Sequence, residues 1–358
     1  MRPLEGKVAV VAGATRGAGR GIASMLGEAG ATVYCTGRSV RGEPATPGRS
    51  ETIDQTADTV TANGGRGIAV RVDHTDERQV AALFERVRAE SGRLDVLVND
   101  VWGGDALTEW GKPFWELSLE KGFLMLQRAV NAHIITSRYG APLMVERDAG
   151  LIVEITDGDF YGYRGTLFYD LAKITAIRLA YAMAADLRER GVTALAVTPG
   201  FLRSEAMLDR FGVTEPNWMD AVRKDRHFAQ SETPCYVGRA VAALAADPHV
   251  GEKAGRVLAS WELAKEYGFR DIDGRQPDWG SYFSGVIAEI LERGAPVDDD
   301  ERFLLLMRYY QIQLDPAMHE EARRVATALR ASDTVVLRTP YEVASRDRSG
   351  VTASERRV

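Results

Sequence analysis

Lys7-Val8-Ala9-Val10-Val11-Ala12 runs straight into Gly13-Ala14-Thr15-Arg16-Gly17-Ala18-Gly19, and an amphipathic stretch from Arg20 to Gly30 follows. A short apolar run of this kind suits a parallel strand buried on both faces. The glycines permit a tight turn and let the backbone approach a pyrophosphate, which rests on the N-terminus of the next helix. Strand, glycine turn and helix together are the context that makes such a motif a dinucleotide site rather than an ordinary turn. Strand and helix signals then alternate along the chain. That pattern argues for an α/β fold of Rossmann type, a doubly wound parallel sheet in three α/β/α layers, with a helical C-terminal extension. Strands are expected at residues 31–36, 67–72, 93–99, 151–156, 192–198 and 256–260, and helices at 50–62 (Ser50 as its cap), 79–91, 117–144 and 168–190.

Tyr169 and Lys173 close a Tyr-Asp-Leu-Ala-Lys run. A spacing of four puts both side chains on one helix face, one turn apart. An ammonium beside a phenol favours the phenolate, and a phenol so tuned can give a proton to a carbonyl or take one from an alcohol. Alone, the pair is a common surface pattern; following a dinucleotide turn, it points to hydride transfer chemistry.

Together these residues resemble the short-chain dehydrogenase/reductase family, over about residues 4–283. The three glycines match its cofactor motif, with Ala12 where Thr is usual. Asp73 matches the Asp that meets the adenine ring, and Asn99 the start of an Asn-Asn-Ala-Gly motif. Tyr169 and Lys173 match the catalytic pair. Pro199-Gly200 and Ser204 match the turn and hydroxyl that hold the nicotinamide carboxamide. Gly103-Gly104 and Phe114-Trp115-Glu116 resemble the subgroup related to dehydrogenase/reductase member 1. The resemblance implies a cofactor site formed by Gly13, Thr15, Arg16, Gly17, Ala18, Gly19, Arg38, Asp73, His74, Asn99, Val101, Tyr169, Lys173, Pro199, Gly200, Leu202 and Ser204. It also implies a homodimer or homotetramer. NAD enzymes present an acidic residue at the end of the second strand, but here Thr36-Gly37-Arg38 follows, and Arg16 adds a second cation. Two guanidinium groups favour a 2′-phosphate, so the expected cofactor is NADP(H).

The departures are as informative. The family's Ser that hydrogen-bonds the substrate oxygen falls on Asp157, with Thr156 just before it. An ionised carboxylate there would repel the charge developing on a carbonyl oxygen. Three readings follow: Asp157 is kept protonated by burial, Thr156 supplies the hydroxyl, or the substrate carries a cation such as an iminium. Asp157 capping a turn with Gly158-Asp159 is the bland alternative. The family's helical Asn falls on Ala129; Asn131, two residues on, points elsewhere on a helix and reads as packing or surface. Trp102 stands where a small residue is usual. A redox sensor that binds NADPH with a degenerate site, or an assembly protein on an old enzyme fold, stays open beside the enzyme readings.

The chain has 358 residues with 45 Lys and Arg against 51 Asp and Glu, so nothing draws it to nucleic acid or anionic membranes. Cys35 and Cys235 make no disulfide framework, and five histidines without ligand spacing suggest no metal. No stretch is long and apolar enough to span a bilayer, and the start leaves no room for a signal peptide, as in a cytoplasmic protein. Residues 201–234, with Phe201, Met207, Phe211 and Trp218, read as a substrate lid outside the strand ends. With Trp102, Trp110 and Trp115 and the segment Asp159–Arg164, they suggest a bulky or aromatic substrate, although any one of these aromatics is equally suited to a core. The expected domains are residues 1–283, a helical extension over 284–344 and a disordered polar tail over 345–358.

Overall fold

The computed structural model describes residues 2–294, 297–313 and 315–331; the polar tail and the last part of the extension lie outside them. Seven parallel strands form one sheet in the order β3-β2-β1-β4-β5-β6-β7. They are β1 (Val8–Ala12), β2 (Thr32–Gly37), β3 (Arg66–Arg71), β4 (Val96–Asn99), β5 (Gly150–Ile155), β6 (Val192–Thr198) and β7 (Val257–Ala259). The doubly wound expectation holds, with strand ends within three residues of those read from the sequence.

Alternation along the strands explains the layers. Ala9 and Val11 of β1 point into one core, packed with Ile22 and Leu26 of α1 (Gly17–Glu28). Val8 and Val10 point into the other, against Leu83 and Phe84. These two belong to α3 (Glu77–Ser91), which follows α2 (Ile53–Ala62). A strand clothed on both faces has to be apolar at every position, and β1 is fully buried. The caps are local chemistry. Thr52, not Ser50, starts α2, because its side chain and that of Gln55 satisfy each other's backbone N–H groups. Asp76 caps α3, and Gly92 ends it with φ +65°.

The helical stretch expected at 117–144 is α4 (Leu119–Leu126), a π-turn over Gln127–Asn131 and α5 (Ala132–Val145). Then come α6 (Leu167–Leu187), α7 (Glu205–Phe211), α8 (Pro234–Ala246), α9 (Ser260–Tyr267), α10 (Trp279–Arg293), α11 (Asp299–Ile312) and α12 (His319–Ala331). The chain divides into two compact units. One holds the sheet: Met1–Gly103, Leu126–Asp159 and Ala172–Tyr282. The other gathers Gly104–Met125, Phe160–Leu171 and the chain from Phe283. In this second unit the extension packs on the segment before Tyr169. The Tyr163 and Tyr310 rings stand 5.5 Å apart, and a side chain at Gly162 would collide with the Tyr310 carbonyl. Among the described residues no helix is long and apolar enough to cross a membrane.

Candidate active site

The site grows from the point where the strand order reverses. β1 has β2 on one side and β4 on the other, with Ala12 in register with both Thr36 and Asn99. The residues leaving β1 and β4 are therefore side by side: Asp100 N–H bonds Ala12 O at 2.9 Å. Such a crevice at the carboxyl ends is where open α/β sheets bind ligands. Gly13 (φ +91°) is demanded by this approach, because a Cβ would strike the Asp100 carbonyl. Gly19 is demanded too: its Cβ would strike the Gly13 carbonyl and come within 2.9 Å of Asp100 Oδ2.

The N–H groups at the start of α1 already hold an anion. Gly17 N–H donates to Glu205 Oε2 at 2.8 Å, and the other oxygen of Glu205 is 3.7 Å from Arg20. A carboxylate seated on a helix N-terminus is what the macrodipole favours. The cradle and its donors thus fit a pyrophosphate, and Gly13, Thr15, Arg16, Gly17, Ala18 and Gly19 would hold it. Glu205 opens α7, whose N-cap is Ser204, so the segment after β6 reaches back to this loop.

Arg16 reaches Thr46 at 3.4 Å, and Arg38 faces Asp73 across 3.9 Å. Arg38 thus has a carboxylate partner, supplied from just after β3 rather than from β2. Burial would raise the Asp73 pKa, but hydrogen bonds from Thr75 and the charge of Arg38 outweigh it and hold it below the usual range. Arg128, on the π-turn, is a further cation that sequence reading passed over; it donates to Gly103 O at 3.0 Å.

Two expected cofactor residues turn inward. His74 is 3% exposed, and its ring nitrogens meet Thr36 Oγ1 at 2.7 Å and Thr136 Oγ1 at 2.8 Å. Burial, with His133 nearby, pushes its pKa down to about 3. Its side chain is thus a neutral core group, and only its backbone could serve a cofactor. Asn99 is likewise buried, donating to Ser137 at 2.8 Å and Glu154 at 2.6 Å.

Tyr169 and Lys173 lie one turn apart on α6 as expected. The Tyr169 ring stands 5.2 Å from Trp110. It borders a shallow cavity with Leu107, Leu117, Met125 and Phe168. Lys173 Nζ sits 4.1 Å from the centre of the Trp102 ring, a cation–π contact. Lys173 also lines a small cavity with Asp100, Trp102, Ala129 and His133. Ala129 thus faces Lys173 while Asn131 is exposed. The π-turn carries both, a wide turn of the kind often found at functional sites.

The structure places the two residues that stand at the Ser position differently. Thr156 is 2% exposed, and its hydroxyl donates to the Lys173 carbonyl at 2.7 Å. It fastens α6 to the end of β5. Asp157, the next residue, is exposed.

Behind this lies a buried network that sequence reading missed. His133 Nδ1 meets Glu154 Oε2 at 2.6 Å, and Nε2 donates to Val101 O at 3.1 Å. A carbonyl only accepts, so Nε2 carries a proton. Asp100 adjoins this pair; protein atoms crowd its carboxyl and that desolvation pushes its pKa up to about 7 against Lys173, Gly19 N–H and His133. A Glu in the middle of an apolar strand, Leu151–Ile155, was the signal available in the sequence.

The expected lid is partly its own core. Phe211 and Phe228 are buried and pack with Phe201 and Trp218. The Arg203 and Arg275 guanidinium groups lie 4.0 and 4.4 Å from the centre of the Trp218 ring. These aromatics hold the segment together.

The short chain dehydrogenase family model matches residues 7–211. The chain belongs to that family. It is 38% identical over 280 residues to mouse "Dehydrogenase/reductase SDR family member 1", covering 77% of this chain and 86% of that protein. The human protein of the same name is 37% identical over 293 residues, covering 80% and 90%. Among solved structures, a hydroxysteroid dehydrogenase from Escherichia coli superposes with TM-score 0.58 at 23% identity, covering 72% of this chain and 96% of that one. Membership makes the chain a dehydrogenase/reductase that uses a nicotinamide cofactor on a small-molecule substrate.

Proposed function

We propose that this short-chain dehydrogenase is an NADPH-dependent carbonyl reductase or alcohol dehydrogenase for bulky, apolar or aromatic substrates. The observation that carries the reading is Tyr169 and Lys173 one turn apart on α6, in a chain whose glycine loop already seats a carboxylate. The cofactor supplies the hydride. Tyr169 gives the proton in reduction and takes it in oxidation. Lys173 favours the phenolate and would hold the nicotinamide ribose. Trp102 keeps the ammonium in place, and Thr156 anchors the helix that bears both residues. Arg16 and Arg38 would take the 2′-phosphate, Asp73 and the His74 backbone the adenine, and Asn99, Val101, Pro199, Gly200, Leu202 and Ser204 would complete the site. What supports an apolar substrate is the wall that Leu107, Leu117, Met125 and Phe168 make beside Tyr169. The functional assembly is proposed to be a homodimer or homotetramer, to be checked by light scattering.

A second reading is favoured by the exposed Asp157 in place of Ser: an imine reductase, whose cationic substrate a carboxylate stabilises. NADPH oxidation by wild type and Asp157→Ser, on paired ketones and cyclic imines, separates the two. Ketone turnover little changed by the substitution supports the carbonyl reading. Imine preference in the wild type, with ketone activity gained by the variant, replaces it with the imine one. NADPH binding with no turnover of either class would leave a sensor.

A further inference from the structure

Asp100 touches the glycine loop and shares a cavity with Lys173. Its backbone bonds Ala12 beside Gly13, its carboxyl accepts the Gly19 N–H of α1, and it lines the same small cavity as Lys173. We propose that Asp100 is a charge switch worked by the cofactor: ionised, it offsets the Lys173 ammonium, and protonated when phosphates occupy the glycine loop, it leaves that positive charge to act on Tyr169. This rests on the NADP(H) reading above.

The argument is electrostatic. The groups that face Asp100 are Lys173 on α6, His133 on α5, itself paired with Glu154 of β5, and the Gly19 N–H of α1. Desolvation sets its midpoint at about 7, where a modest change in local field moves its charge most. A pyrophosphate on the same loop brings two negative charges where Glu205 now brings one. The added charge favours the neutral carboxyl, and the proton comes from the buffer. In this proposal Asp100 acts through Lys173 and is a positioning residue.

The test is calorimetric titration of NADPH into the full chain at pH 7 in three buffers of different ionisation enthalpy. The slope of heat against ionisation enthalpy counts protons. A one-unit rise from a midpoint near 7 corresponds to uptake of roughly 0.4 proton per NADPH. Asp100→Asn, nearly isosteric, should bind NADPH with that uptake lost, the difference cancelling any proton exchanged by the cofactor's own 2′-phosphate. Wild-type dissociation constants alone should show the same linkage, with binding tightening as pH falls from 8 to 6. Equal slopes in wild type and Asp100→Asn would overturn the proposal. So would uptake that survives Asp100→Asn but vanishes in His133→Gln, which would place the switch on the His133–Glu154 pair. Failure of the wild type to bind NADPH at all would overturn the cofactor reading instead, and the switch with it.

Discussion

One hydroxyl at Thr156 separates a structural role from a chemical one. Its donation to the Lys173 carbonyl is buried, so Thr156→Val leaves that carbonyl without its side-chain donor. The expected cost is about 1–3 kcal/mol of stability in denaturant unfolding. If the hydroxyl's role is this bond alone, the substrate KM should change little. A large loss of turnover at unchanged stability would return Thr156 to the catalytic set. Glu232 is the other residue with a measurable signature. It is 1% exposed, and Oε2 accepts from Gly200 N–H at 2.9 Å and Ser260 at 2.6 Å. Oε1 has no hydrogen-bond partner among the described residues. Burial pushes its pKa up to about 8, above the ordinary 4.5. The folded state therefore holds that proton more tightly. The resulting stability is complete below pH 4.5 and is lost as pH rises to about 8. His74 works from the other side: with its pKa lowered from 6.5 to about 3, its contribution is full above pH 6.5 and drains as pH falls. Glu232→Gln should flatten the alkaline limb, raising stability at pH 8 by on the order of 2 kcal/mol relative to wild type. Parallel limbs in the two proteins, measured by urea midpoints across pH, would show Glu232 to be irrelevant to it.

At the scale of elements, α7 and the glycine loop compete for one set of donors. Glu205 sits on Gly17 N–H, where a phosphate oxygen is expected. Removing it by Glu205→Ala should tighten NADPH binding several-fold, read by titration of the intrinsic fluorescence. Weaker binding would mean that Glu205 organises the loop rather than guarding it. The strands, the glycine turn and the Tyr–Lys helix were legible in the sequence because their periodicities are local. The π-turn at Gln127–Asn131 was not, since counting at 3.6 residues per turn passes straight through it. Nor was the tie between Glu154 of β5, His133 of α5 and the Val101 carbonyl after β4. These partners come from three elements, and only the sheet register brings them together.

For the whole molecule, a linear division at residue 283 understates how the chain is shared. The second unit takes in Gly104–Met125 and Phe160–Leu171, so the extension packs with the segment carrying Tyr169 rather than standing apart. No pattern within residues 284–331 announces this, because the contact is made by a glycine, Gly162, and a backbone carbonyl, that of Tyr310. The pairing of Arg38 was only half legible. Arg38 was visible at the end of β2, but Asp73 facing it came from the end of β3. Arg38→Asp should cost roughly 10-fold or more in NADPH affinity while leaving NADH binding nearly unchanged; equal losses for both would show that Arg38 does not read the 2′-phosphate. The central claim, that Tyr169 moves the proton while NADPH supplies the hydride, is tested most directly by the rate of NADPH oxidation on a panel of aromatic ketones, wild type against Tyr169→Phe. The expected result is turnover by the wild type and a kcat about 10²–10⁴-fold lower in the variant, with NADPH affinity unchanged. Equal turnover in the two proteins would contradict the account.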